Sequence, residues 1–399
     1  MDRKQNPFAP GAGTRPPELA GRDQILEDAG VALARVKAAR PAKGQMLLGL
    51  RGVGKTVLLN EIARMAEQDG YRTIELEAPE DQRLAAMLAP HLRLVLNRLS
   101  AVEKAKTLAT RALRALQSFS STFKLKVGEM ELGVRDPALT SGNLETDLPE
   151  LLLIVAQAAQ AADTPVAILV DEVQYLSNED LSALLVSMHK IGQRQLPLTL
   201  FGAGLPQLGA LAGDAKSYAE RLFDYPHIGP LDHSAAERAI REPLHDEGAD
   251  IRPGALRTLV GHTQGYPYFL QEWGSHAWDV AHKSPITEAD VARATASALR
   301  ALDHGFFRVR LDRLTPRERD YLRAMAELGP GPHRSGDIAS VLGVDVRSVA
   351  PIRGGLIRKG MVYSPQHGDT AFTVPMFDMF MKRSMRGWKA AARRRAPRR

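Results

Sequence analysis

Short, uninterrupted apolar runs separated by helical periodicities organise the first half of the chain. The runs Met46–Leu50, Thr73–Leu76, Val166–Val170 and Leu198–Phe201 lack the alternation of a half-exposed strand, which predicts strands buried on both faces. Between them lie helical patterns. In the clearest, Val57, Leu58, Ile62, Met65 and Ala66 fall on one helical face and Gly70 supplies a stop. Strands alternating with helices predict an α/β fold, a mainly parallel sheet with helices on both faces.

The connection between the second and third strands is long enough to have structure of its own. Asp81–Phe119 is helical in pattern and carries Arg93, Arg98, Lys104, Lys106, Arg111 and Arg114. Phe123–Val127 and Glu129–Val134 follow, two expected short strands around Gly128. Whether this insertion, about 81–148, is a partner surface or a packing elaboration stays open. From Ser234 to about Leu302 the pattern is wholly helical, as in a lid, and Thr315-Pro316-Arg317-Glu318 starts a further unit. The expected organisation is an α/β domain over 1–232, a helical lid over 233–310, a smaller module over 315–380 and a basic tail over 382–399.

Composition excludes several chemistries. The chain of 399 residues has no cysteine, so disulfides, thiol nucleophiles and cysteine-ligated metal centres are ruled out. Met1–Pro17 holds no apolar stretch that could act as a signal peptide, and no apolar run is long enough to span a bilayer; a cytoplasmic protein with no membrane partner is expected. The net charge of +7 is local: nine basic residues and no acidic ones lie between Lys382 and Arg399, which leaves −2 for residues 1–381. Such a tail attracts polyanions, although it also fits a merely solvated end.

The segment Gly49-Leu50-Arg51-Gly52-Val53-Gly54-Lys55-Thr56 matches the phosphate-binding loop pattern, with an apolar strand before it and an amphipathic helix opening at Val57. Glycines at 49, 52 and 54 allow backbone N–H groups to wrap phosphates, and the helix N-terminus adds partial positive charge. Lys55 would reach the terminal phosphates of ATP and Thr56 would ligate Mg2+. The strand Val166–Val170 ends in Asp171-Glu172, and two carboxylates there are costly without partners or work. Asp171 is expected on the magnesium and Glu172 on the attacking water.

With these two motifs the chain resembles the AAA+ and STAND P-loop ATPases, particularly the origin-recognition-like ones, over roughly residues 17–380. Leu19-Ala20-Gly21-Arg22-Asp23 is similar to their adenine-pocket segment, with Asp23 in place of the usual Glu, and Gly265-Tyr266-Pro267 is similar to the lid motif whose proline meets the nucleotide. The resemblance implies nucleotide contacts at Gly21, Arg22 and Pro267, ATP hydrolysis, and an arginine finger at Arg221 acting in a homo-oligomer. A surface arginine beside Glu220 is the alternative. Two departures stand out. The fourth strand has Thr199 as its one polar residue, early in the run, and no sensor arginine is found in the lid. Both fit a slow, switch-like ATPase.

Residues 315–380 read as a winged helix-turn-helix. Its helices are expected over Pro316–Leu328, over Gly336–Leu342 behind a Ser335 cap, and after Ser348 or Asp345. Ser348 suits better because Pro351 then falls in the first turn. Gly354-Gly355 weakens that helix by about 1 kcal/mol each. Met361–Tyr363 and Ala371–Val374 form the wing around His367-Gly368-Asp369. If the module reads duplex DNA, Arg347, Arg353, Arg358 and Lys359 face it; Trp388 could stack on a base or pack. The other reading is a STAND-type switch whose winged helix contacts a protein partner.

Overall fold

The computed structural model describes residues 1–11, 13–79, 82–125, 140–366 and 368–390. The chain divides into two compact units, one of Arg22–Gly49 with Lys55–Ile228, the other of Met1–Gly21, Leu50–Gly54 and Gly229–Arg399.

The first unit is built on a parallel sheet. Its elements in order are α1 (Asp23–Lys37), β1 (Gly44–Gly49), α2 (Lys55–Gln68), β2 (Arg72–Glu77), α3 (Leu84–Ser100), α4 (Lys106–Thr122), α5 (Leu144–Ala161), β3 (Val166–Asp171), α6 (Asn178–Gln193), β4 (Leu198–Gly204), α7 (Leu208–Ala215), α8 (Ala219–Leu222), β5 (Phe223–Asp224) and β6 (His227–Ile228). The strand order is β2-β3-β4-β1-β5, with β6 also on β1, and every pairing is parallel. The uninterrupted apolar runs explain this: β1, β3 and β4 are buried along their whole length, whereas β2, at the edge, alternates. Because β4 lies between β1 and β3, with Leu48 opposite Gly204 and Val170 opposite Gly202, the ends of all three strands share one edge of the sheet. That edge carries the candidate chemistry.

The described part of the insertion is mostly helical. Leu88, Leu92 and Leu96 of α3 and Ala112, Leu116 and Phe119 of α4 are buried in the same core as the strands, while Arg98, Lys104, Lys106, Arg111 and Arg114 are exposed. Phe123–Leu125 do not begin a strand. Phe123 caps α4 through its N–H to Phe119, and Lys124 and Leu125 complete the turn with N–H bonds back to Ser121 and Ser120. The rest of the two expected strands lies outside the described residues.

The second unit contains α9 (His233–Asp246), α10 (Pro253–Thr263), α11 (Pro267–Val280), α12 (Glu288–Ala301), a π-helical stretch Leu302–Phe307, α13 (Arg308–Asp312), α14 (Pro316–Leu328), β7 (His333–Arg334), α15 (Ser335–Leu342), α16 (Val346–Arg358), β8 (Val362–Tyr363), β9 (Asp369–Phe372) and α17 (Phe377–Ser384). The N-terminal segment belongs here and not to the sheet unit. Trp278 donates its indole N–H to the Asp2 carbonyl at 2.7 Å, Asn6 donates to Ser275 and Asp279, and the Phe8 ring covers Gly274, where a Cβ would come within 2.6 Å of it.

Helices α14, α15 and α16 and the antiparallel sheet β7-β9-β8 form a module closed by α17. The starts of two helices differ from the sequence expectation. Ser335 is inside α15 and bonds the Gly368 carbonyl, so it does not cap. Asp345, not Ser348, caps α16, accepting the Arg347 N–H at 2.8 Å, while Ser348 donates to the Asp345 carbonyl. A carboxylate at the cap also meets the helix dipole favourably, and Pro351 is thereby left within the helix. Gly355 has a packing reason: a Cβ there would lie 3.2 Å from the Glu318 carboxylate of α14.

Glu318 ties α14 down. It accepts the Thr315 N–H at 2.8 Å in a capping box and the Lys359 ammonium at 2.7 Å. Burial pushes its carboxyl upward, but Lys359 and the Thr315 groups outweigh burial and hold it below the ordinary glutamate value. A lowered folded-state value stabilises above the unfolded one, and the gain disappears as pH falls through the folded one. Glu318→Gln should therefore cost about 1 kcal/mol at neutral pH. The cost should shrink in urea titrations as pH falls through the lowered folded-state value, where the wild-type carboxyl is protonated too.

Candidate nucleotide site

Strand β1 ends at Gly49, the turn Leu50–Gly54 follows, and α2 opens at Lys55. The turn needs its glycines: Gly52 has φ +81° and Gly54 φ +92°, where a side chain is strained. Lys55 is buried in the first turn of α2. Thr56, beside it, donates its hydroxyl to Asp171 Oδ2 at 2.6 Å. That bond ties the helix after the loop to the end of β3.

Asp171 is 9% exposed and also accepts the Glu172 N–H at 2.7 Å. Burial raises its carboxyl above the ordinary aspartate value, despite the Thr56 and Glu172 hydrogen bonds and the charge of Lys55. Glu172 has left-handed backbone, φ +52° and ψ +36°, a costly conformation for a non-glycine residue and one often found where function demands it. The paired hydroxyl and carboxylate are hard oxygen donors, and magnesium characteristically takes one or two such groups and completes its shell with phosphate and water. The donor set fits magnesium.

Lys55, Thr56, Asp171 and Glu172 are thus brought to one edge of the sheet. Arg221 is not. It lines a cavity of about 630 Å³ at the opposite end of the strands, with Arg35, Arg40, Lys43, Asp224 and Thr199. Thr199 is at the wrong end of β4 to meet a phosphate bound after β1. Val53 is buried and Val57 half-buried; Arg22 is the N-cap residue of α1. In the other unit Gly21 has φ +66°, Pro267 is the first residue of α11, and the neighbouring Tyr268 donates its N–H to the Gly52 carbonyl at 3.1 Å. Arg51, in the same turn, donates its N–H to the Thr373 carbonyl at 3.0 Å.

Sequence reasoning missed Gln174, whose side chain joins Glu172 to the residue after β4. Its one trace in the sequence is an amide two residues past the carboxylate pair; the bond to Leu205 is visible only in the fold.

The four arginines and lysines expected on DNA separate into two pairs. Arg347 and Arg358 are exposed. Arg353 is turned inward, donating to Thr370 at 2.8 Å and to Ser364 and the Asp369 carbonyl at 2.7 Å, and Lys359 is held by Glu318. Both are engaged in holding the module together, bonded to the hairpin and to α14 and only partly exposed. Trp388 packs, donating to Asp320 at 2.8 Å beneath the Arg323 guanidinium. Arg383 pairs with Asp303. Residues 391–399 of the basic tail lie outside the described residues.

A parallel sheet in this order, with a glycine turn leading into a helix beside paired carboxylates, is a P-loop NTPase fold. Residues 18–201 match the AAA ATPase domain, and residues 304–381 match a domain of unknown function (DUF8462). The chain is similar to a Walker-type ATPase of Pyrococcus abyssi, at 18% identity and a TM-score of 0.57, covering 92% of this chain and 97% of that one. It is 23% identical to an uncharacterized HTH-type transcriptional regulator of Methanocaldococcus jannaschii over 82% of this chain and 79% of the relative. The Orc1 protein of Aeropyrum pernix in complex with DNA aligns at 16% identity and a TM-score of 0.47, over 92% and 94% of the two chains. Residues 18–201 are thus similar to an AAA ATPase domain. Among the described residues no helix is long and apolar enough to cross a membrane.

Arg353→Ala should lower unfolding stability by about 1–3 kcal/mol, since it strips three part-buried hydrogen bonds. Arg347→Ala should change it by less than about 0.5 kcal/mol. Denaturant titrations of the two variants check the difference.

Proposed function

We propose that the chain is an ATP-hydrolysing switch in which Lys55 holds the terminal phosphates, Thr56 and Asp171 hold magnesium, and Glu172 orients the attacking water. The observation that carries this is the 2.6 Å bond from Thr56 to Asp171, which presents a helix N-terminus, a lysine and two oxygen donors to one point. Bound magnesium would neutralise charge on the transferring phosphoryl group. Glu172 accepts a proton from, or aligns, the water. Arg221 serves from a second copy, since its own chain keeps it at the far end of the sheet; the base-side roles of Gly21, Arg22 and Pro267 rest on the resemblance alone. Lys55→Ala should weaken magnesium–ATP binding about tenfold or more in calorimetry. Glu172→Gln should keep the affinity and lose about 100-fold or more of the turnover. Equal affinity in Lys55→Ala would falsify the assignment.

The module over 315–380 we take as a winged helix that contacts duplex DNA through Arg347, Arg358 and the basic tail. Its support is the exposure of those two side chains, the tail's charge and the HTH-type relative. Fluorescence anisotropy with duplex DNA should weaken steeply with salt, and the chain truncated after Met381 should lose most of the binding. A protein-contacting, STAND-type switch is favoured instead by one contact: the phosphate-loop residue Arg51 gives its N–H to Thr373 of the module. No DNA binding at low salt would select that alternative.

A further inference from the structure

The geometry points to Gln174 as the positioning residue that fixes the Glu172 carboxylate for hydrolysis, an inference resting on the assignment of Glu172 to the attacking water. Gln174 lies in the short 3-10 turn Val173–Tyr175 immediately after Glu172. Both ends of its amide are used. The Oε1 atom accepts the Leu205 N–H at 2.9 Å, and the Nε2 group donates to Glu172 Oε2.

The amide cannot turn round without loss. The Leu205 N–H is purely a donor and the Glu172 carboxylate purely an acceptor, so only one orientation satisfies both. The backbone agrees with the side chain. Tyr175 donates its N–H to the Glu172 carbonyl at 2.9 Å, which closes the turn on the left-handed Glu172 and sets Gln174 beneath its carboxylate. On the other side Gly204 makes room: a Cβ at that position would lie 2.7 Å from Gln174 Oε1.

A glutamate side chain has several freely turning bonds, and an unheld carboxylate samples many positions besides the one that faces a phosphate-bound water. Gln174 anchors it to the backbone at the end of β4. The strand itself offers nothing there, because its polar residue, Thr199, lies at the other end. The turn after β3 therefore supplies the polar link between the carboxylate and the neighbouring strand.

Gln174→Glu separates the two halves of this bridge. It keeps an acceptor for the Leu205 N–H and replaces the donor facing Glu172 with a repelling carboxylate. At saturating ATP its turnover should fall about 10- to 100-fold, with magnesium–ATP affinity by calorimetry within about twofold of wild type. In the Glu172→Gln background the same substitution should lower turnover no further, because the residue acts through Glu172. Gln174→Leu, similar in volume and without either bond, carries the same expectations if Gln174→Glu does not give a folded protein by thermal melting. Wild-type turnover in Gln174→Glu alongside an inactive Glu172→Gln overturns the inference and leaves the Glu172 assignment standing. So does a full, additive loss in the double variant. Wild-type turnover in Glu172→Gln itself overturns the assignment, and the inference falls with it.

Discussion

A carboxylate at the end of a strand buried on both faces must be solvated by protein groups, by a cation, or not at all. At Asp171 the protein supplies the Thr56 hydroxyl and the Glu172 N–H, and the carboxyl is still pushed above its ordinary value by burial. The site is polar enough to keep the group paired and dry enough to make a divalent cation welcome. Thr56 lies in the first turn of the helix that follows the glycine turn, so the same bond positions Lys55 and the amide groups of the helix start. The sheet order makes this possible, because β4 between β1 and β3 brings the three strand ends to one edge.

Most of that arrangement was legible in the residues. Uninterrupted apolar runs located β1 to β4 within one to three positions, and the glycine-rich loop with its lysine and threonine marked one side of the candidate site. Asp171-Glu172 gave the opposite side. What remained hidden depended on tertiary contact. Strands β5 and β6 have two residues each, too short for a periodic signal, and exist because β1 offers them an edge. Gln174 has no motif of its own; its part follows from the turn that folds it back to Leu205.

In the C-terminal unit the pattern located the helices well and the working of individual polar residues less well. Pro316–Leu328 carried its capping box in sequence and appears at those bounds. Asp345 and Ser348 were both plausible caps, and the aspartate prevailed. Arg353 and Lys359 looked like a surface for a polyanion, but their partners Thr370, Ser364 and Glu318 come from segments distant along the chain. Charge on a helix predicts a ligand only where no neighbouring element claims it first, and here that leaves Arg347 and Arg358.

The Thr56–Asp171 pair carries the account, and magnesium is its most direct probe. ATP affinity measured by calorimetry with and without magnesium should rise with the cation in the wild-type chain. In Asp171→Asn that rise should be lost while metal-free affinity changes little. An Asp171→Asn chain that gains as much affinity from magnesium as the wild type would contradict it.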